Sequence, residues 1–349
     1  MTILPARSVT MQHVAELAQV AAKTVSRVIN NEPGVNNETK RRVLAAIEQL
    51  DYRPNLNARG LAGDRSYLVA LFYDKPGDYL SQFQTGAVER CRESGFHLMV
   101  EPWDLDDEGF ARRIGIQVRQ LRVDGVILLP PLCDHPLVLH QLRSSGVPIV
   151  RIAPRAESTS SPFVRTDDYS ASRALTAHLL ALGHRRIGFI LGRPEHGATE
   201  QRHRGFRDEM AAQGVAIDET LVLPGNFLFE DGLVCARRML GADRRPTAIF
   251  ASNDDTAAAA LSVAHERGLR LPAELSVVGF DDAPVAGMVW PQLTTIRQQV
   301  SSMGRAAAEL IVTHLPRRQG WPDPLPSRFL GYELVVRGST AAPGGRTDG

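Results

Sequence analysis

From Tyr67 onward the chain alternates short apolar, β-rich runs with amphipathic helical stretches, and this alternation restricts the fold more than any other feature. Candidate strands fall at 67–73, 97–101, 125–129, 148–152, 187–191, 248–252 and 276–280. Helical patterns lie between them at 82–93, 110–121, 136–144, 169–182, 201–213, 230–240 and 255–267. Strands this apolar, so regularly separated by helices, fit parallel sheets covered on both faces. About a dozen such elements exceed what one small sheet accommodates. The expected body is therefore α/β, with two doubly wound parallel-sheet lobes and a cleft between the carboxyl ends of their strands.

The first 65 residues have a different character, entirely helical. Thr10 suits the N-cap of a first helix whose Val14, Leu17 and Ala18 share one face. A break at Gln19-Val20-Ala21 leads to a second helix with Val25, Val28 and Ile29 inward, closed by the turn residues Asn31-Glu32-Pro33-Gly34. Asn36 then caps a third helix with the stripe Val43, Ile47 and Leu50. Three short helices with a tight turn between the first two form a helix-turn-helix. The outer surface of the second helix carries Lys23, Thr24, Ser26, Arg27 and Asn30. Arg27 can donate a bidentate pair to guanine O6 and N7, which discriminates by about 1–3 kcal/mol, and the shorter side chains suit phosphates or single base edges. The bland alternative is an ordinary solvated helix face. Charge leans the same way: residues 1–65 hold nine Lys/Arg against six Asp/Glu, and the remainder 31 against 33.

Several classes are disfavoured. With 349 residues, two or three domains are expected. No apolar run approaches the ~20 residues of a membrane helix, and Met1–Ser8 lacks a secretory apolar stretch. Cys91, Cys133 and Cys235 are scattered without metal-ligand spacing, which fits a reducing compartment. A cytoplasmic protein without cofactor or metal is expected. There is no P-loop, no Gly-x-Gly-x-x-Gly after a strand, no Gly-x-Ser-x-Gly elbow and no His/Cys cluster, so enzymes of those types are not expected.

Beyond these readings the chain resembles the lac-repressor (LacI/GalR) family of bacterial transcriptional regulators. The resemblance is carried by Val14-Ala15-Glu16-Leu17-Ala18, Thr24-Val25-Ser26-Arg27-Val28-Ile29-Asn30, Tyr52-Arg53-Pro54-Asn55 and Ala58-Arg59-Gly60-Leu61. It continues through His178–Gly188, Asn253-Asp254, Ser276–Asp282 and Pro291–Ile296, in order and at matching spacing. It implies a helix-turn-helix headpiece (9–55), a hinge helix and linker (56–66), and a two-lobed, periplasmic-binding-protein-like core. The first lobe would comprise 67–165 plus 296–325, the second 166–295 plus 326–339, with a disordered tail at 340–349. It further implies an effector-responsive repressor that grips a pseudo-palindromic operator as a homodimer, nucleoid-associated when bound. Thr10, Ala22, Lys23, Tyr52, Asn55, Ala58 and Arg59 would join the DNA contacts, and Leu61 would wedge into the central base step from the minor groove, a move whose unstacking cost of a few kcal/mol added contacts offset. The tail shows no leucine heptads, so a dimer rather than a tetramer is expected.

Three positions depart from the family's pattern. Gln19 stands where a glycine is usual, so a left-handed backbone there would cost about 1 kcal/mol. Ala21 replaces a capping Ser, and Gly60 weakens the hinge helix, each by roughly 1 kcal/mol.

For the cleft, strand-end residues are the candidates. By resemblance Arg202, Phe227, Asn253 and Asp281 touch the effector. Their chemistry suits vicinal hydroxyls and the apolar face of a sugar. Asn253 and Asp254 could also cap the helix that follows. In the first lobe Tyr73, Tyr79, Gln84 and Trp103 could line the cleft or pack in the core. The family often has Asp after the fourth strand, where this chain reads Arg151-Ile152-Ala153-Pro154. A sugar is the expected effector, with purines, bound by relatives, as the alternative; inducer and corepressor both stay open.

Overall fold

A computed structural model describes residues 9–29, 34–52, 65–314 and 321–344, which belong to two units divided between Tyr67 and Leu68. In the first unit α1 (Met11–Leu17), α2 (Ala22–Ile29) and α3 (Asn37–Gln49) enclose a small core of Val14, Ala15, Ala18, Val25, Val28, Val43 and Ala46. The caps read from the sequence are in place. The Thr10 N–H donates to His13 Nδ1 (3.2 Å), and Asn36 Oδ1 accepts from the Thr39 N–H (2.7 Å). Gln19 takes the left-handed turn, φ +52°. One expectation fails: Leu17 is exposed and Ala15 buried. Small residues at 15 and 18 let the neighbouring helices approach α1 closely, which leaves the leucine at the margin. Asn30 and the hinge positions Asn55, Ala58, Arg59, Gly60 and Leu61 lie outside the described residues.

The second unit contains β1 (Leu68–Tyr73), α4 (Asp78–Glu93), β2 (His97–Pro102), α5 (Phe110–Leu121), β3 (Gly125–Leu128), α6 (Pro136–Ser144), β4 (Ile149–Ile152) and β5 (Phe163–Thr166). These elements form the first lobe. The second follows with α7 (Asp168–Ala181), β6 (Ile187–Leu191), α8 (Gly197–Ala212), β7 (Val222–Pro224), α9 (Phe229–Leu240), β8 (Ala248–Ala251), α10 (Asp254–Glu266), β9 (Ser276–Val278) and α11 (Pro284–Met288). Then come β10 (Thr295–Gln298), α12 (Val300–His314), β11 (Arg328–Leu330) and β12 (Tyr332–Val335). The first sheet has the order β11-β5-β4-β3-β1-β2 and the second β7-β6-β8-β9, with parallel pairing throughout. β10 and β12 form an antiparallel pair, tied to the second sheet by bridges at Val278–Thr294 and Asp281–Arg297. Each lobe buries its own apolar layers, for example Phe72, Ile114 and Leu142 in the first and Phe189, Phe206 and Phe250 in the second.

Strand order reverses between β1 and β3 in one sheet and between β6 and β8 in the other. In open α/β sheets such switch points, at the carboxyl ends of the strands, are where ligands bind. The chain passes between lobes after β5, after β10 and at Gly331. α12 returns to lie along α4 at backbone contact: a Cβ at Gly304 would sit 1.9 Å from the Phe83 carbonyl oxygen, and one at Gly86 1.9 Å from that of Ser301.

Two expected boundaries move. β11 pairs with β5 in the first sheet, so the final passage to the second lobe comes after Leu330 rather than at 326. The tail expected to be disordered from Thr340 is bound as far as Gly344. Ala341 O accepts from Ser276 Oγ (3.1 Å) and lies 2.9 Å from His184 Nε2, and the Gly344 N–H donates to Ala273 O (3.1 Å). These bonds tie the tail to Ser276 of β9, the edge strand of the second sheet, and to the segment before it.

Candidate functional site

In the first unit, α2 turns Val25 and Val28 into the core and leaves Lys23 and Arg27 exposed, with Thr24 and Ser26 part-exposed beside them. The sequence placed these four on one outer face, and the geometry agrees. Ala22 is half-buried against the core and offers little surface. Tyr52, expected at the DNA, packs in the core of the unit, 7% exposed, and burial raises its hydroxyl pKa. Thr10 is exposed at the start of α1.

In the second unit a cavity of about 240 Å³ lies between the lobes, walled by loops after β1, β3 and β4 on one side and after β6, β8 and β9 on the other. Arg202 is its centre. This buried guanidinium donates to Asp168 Oδ1 (2.8 Å), to Ser252 O (2.5 Å) and to Asp281 Oδ1 (3.5 Å). Its flat face lies 3.7 Å from the centroid of the Phe280 ring, and both carboxylates favour its charge over the cost of burial. Asp281 also accepts from Gln298 Nε2 (2.6 Å). Burial outweighs Arg202 and pushes the Asp281 carboxyl up to about 6. Its backbone has φ +110°, a strain of order 1–3 kcal/mol of the sort concentrated at ligand sites.

Asn253 caps α10 through Thr256 N (3.1 Å) and donates to Phe227 O (3.0 Å), so capping and cleft lining coexist in one side chain. Asp254 is a structural group. It accepts from Thr295 Oγ1 (2.7 Å) and the Ala283 N–H (2.7 Å), tying β8 to the β9–β10 region, and burial raises its pKa. Phe227 also has a left-handed backbone, φ +62°. Its ring occupies the space over Gly192, where any Cβ would lie 2.0 Å from it.

Tyr73 and Tyr79 line the cavity; Gln84 and Trp103 do not. Trp103 is buried in the first lobe's core, edge-on to Phe72 with centroids 5.9 Å apart. It follows β2, an edge strand displaced from the switch point, so its position after a strand was a misleading cue. Among the lining residues that escaped the sequence reading are Asp74, Asp168, Arg193 and His196. Arg193 Nη1 crosses the cleft to Asp74 Oδ2 (2.6 Å). His196 lies tilted against Phe227 (centroids 5.4 Å), and burial, then Arg193 and Arg202, drive its pKa down to about 3. Its Nε2 is shut off from solvent without a partner among the described residues. Strand-end position was the only signal available for them. No helix among the described residues is long and apolar enough to cross a membrane.

Comparison with known proteins matches both units. Residues 10–55 fit the family of bacterial regulatory proteins, lacI family, and residues 176–340 fit the periplasmic binding protein-like domain. The HTH-type transcriptional regulator DegA of Bacillus subtilis is 33% identical over 335 residues, covering 95% of this chain and 98% of its own. A transcriptional regulator CelR–cellobiose complex is 31% identical with a TM-score of 0.73, covering 95% of this chain and all of the other. The lac repressor dimer bound to operator and the anti-inducer ONPF is 27% identical with a TM-score of 0.78, covering 96% and 100%.

Proposed function

This chain belongs to the lacI family of bacterial regulatory proteins, and from that premise we propose that it represses transcription as a homodimer on a pseudo-palindromic operator, under control of a sugar bound between its lobes. It acts in the cytoplasm, nucleoid-associated while on its operator, and needs no catalytic step. The observation that carries the reading is the coexistence of two sites in one chain. Lys23 and Arg27 stand on the outer face of a capped helix-turn-helix, and Arg202, Asp281 and Phe227 converge on a cavity at two sheet switch points.

Base contacts by Lys23, Thr24, Ser26 and Arg27 set the half-site. Dimer symmetry and Leu61 in the hinge supply the rest of the specificity. Arg202 and Asp281 meet vicinal hydroxyls, and Phe227 offers an apolar face to the ring. Effector binding alters the pose of the lobes and through the hinge the operator affinity, and the coupling is reciprocal.

The test selects binding sites from random duplexes and then titrates the bound complex with sugars, following fluorescence anisotropy. A pseudo-palindromic site is expected, with an affinity that a sugar changes by about 5–150-fold. Asp281→Ala abolishes that response and keeps operator affinity. Asymmetric sites, or an unchanged response in the variant, refute the assignment.

A further inference from the structure

The cleft's charges restrict which sugar it can take, an inference that rests on the sugar reading above. Six carboxyl groups line the cavity (Asp74, Asp78, Asp168, Asp254, Asp255 and Asp281) against three cations, Lys75, Arg193 and Arg202. The two guanidinium groups are already committed. Arg202 serves Asp168 and Asp281, and Arg193 serves Asp74 and approaches Glu195 (3.8 Å). Lys75 is exposed at the lip.

The polar atoms left over inside are of another kind. Among the described residues Asp281 Oδ2 has no partner while Oδ1 has two. The Tyr79 hydroxyl has among them only the Met303 sulfur at 3.7 Å, a weak acceptor. His196 Nε2 is buried and has no partner among them, on a ring kept neutral. At the mouth stand Asp78, in the first turn of α4 in one lobe, and Asp255, in the first turn of α10 in the other. Helix macrodipoles explain why each is tolerated. They do not explain why the two should oppose each other across the cleft with neither making a hydrogen bond or ion pair among the described residues. The two interact closely enough that burial, and then Asp78, raise the pKa of Asp255.

We propose that the effector is an uncharged polyol, a sugar free of phosphate and carboxylate groups, whose hydroxyls donate to Asp78 and Asp255 and so bridge the two lobes. Hydroxyl donors satisfy carboxylates, a phenol oxygen and a neutral imidazole alike. A phosphate or uronate brings a third anion to a mouth that already holds two, with both guanidinium groups engaged and Lys75 the one lining cation left at the lip; like charges so placed discriminate against the acidic ligand. The same bridge links binding to closure, since ligand hydroxyls replace a repulsion between the lobes with two shared partners.

The experiment is calorimetric titration of the full chain with matched pairs: glucose against glucose 6-phosphate and glucuronate, ribose against ribose 5-phosphate, and cellobiose against cellobionate, with hypoxanthine as the non-sugar probe. The expected result is that whichever sugar binds does so in its neutral form, its acidic relative binding at least tenfold more weakly. In Asp78→Asn/Asp255→Asn the neutral sugar weakens at least tenfold and the gap to the acidic relative narrows to within threefold. An acidic member that binds as tightly as its neutral parent overturns the inference but leaves the sugar reading standing. Unchanged affinity in the double variant removes the bridge. If hypoxanthine binds, or no sugar of either form does, the sugar reading itself fails and takes this inference with it.

Discussion

Asp281 meets two demands that conflict. It must stay ionised to complement Arg202, yet it lies where burial favours its proton, which is why its pKa rises to about 6. An unfolded aspartate titrates near 3.9, so between about pH 4 and 6 the folded chain binds the extra proton. Stability from this group therefore falls as pH rises through that window, by on the order of 2–3 kcal/mol. Asp281→Asn mimics the protonated form and removes the dependence. Unfolding midpoints measured from pH 4 to 7 should show the variant gaining steadily on the parent chain; a constant difference across the range would show that Asp281 keeps an ordinary pKa. The site's membership was half legible at this scale. Arg202, Phe227, Asn253 and Asp281 could be placed because the family resemblance points to each and each carries suitable chemistry, whereas His196 and Arg193 acquire their setting only from contacts with distant residues such as Phe227 and Asp74.

At the scale of elements the headpiece shows a local conflict with a measurable consequence. Gln19 holds a left-handed backbone between α1 and α2, which costs a non-glycine residue about 1–2 kcal/mol. Gln19→Gly relieves that, less the 0.5–1 kcal/mol of extra chain freedom a glycine loses on folding. A net gain of roughly 0.5–1 kcal/mol slows hydrogen exchange at the Val14 and Val25 amides about two- to fivefold, and unchanged or faster exchange would rule the strain out. Legibility here followed apolar pattern and length. β6 (Ile187–Leu191) and α5 (Phe110–Leu121) fall where the sequence put them, because each is a clean run bounded by polar turns. β5, with four residues after the serine-rich 157–161, and β7, with three, are too short to carry a period. α12 is long, and beside Val300, Met303, Leu310 and Ile311 its buried face carries Gly304, Ala307 and Ala308, small residues whose purpose appears only when α4 lies at backbone contact.

The pose of the two lobes is itself held by a reciprocal grip. Arg193 of the second lobe takes Asp74 of the first. Arg155 of the first lobe donates to Pro194 O of the second and approaches Glu200 at 3.6 Å. The grip is close enough that a Cβ on Gly197 would lie 2.7 Å from the Arg155 backbone. Arg155 does not line the cavity, so Arg155→Ala tests the closed pose without removing a ligand contact. An exposed ion pair with its hydrogen bond contributes up to about 1 kcal/mol, enough to lower the closed population and weaken sugar binding about two- to fivefold. Small-angle scattering of the sugar-free variant should show a larger radius of gyration, returning to the parent value at saturating sugar. Linkage fixes the sign of the effect on DNA. A sugar that favours closure and a mutation that favours opening must push operator affinity in opposite directions, so the variant binds operator more tightly if the sugar induces and more weakly if it corepresses. Anisotropy titrations of the variant without sugar and of the parent chain with it decide the matter: shifts of the same sign would mean that the sugar favours the open lobes, and the grip would then work against the signal.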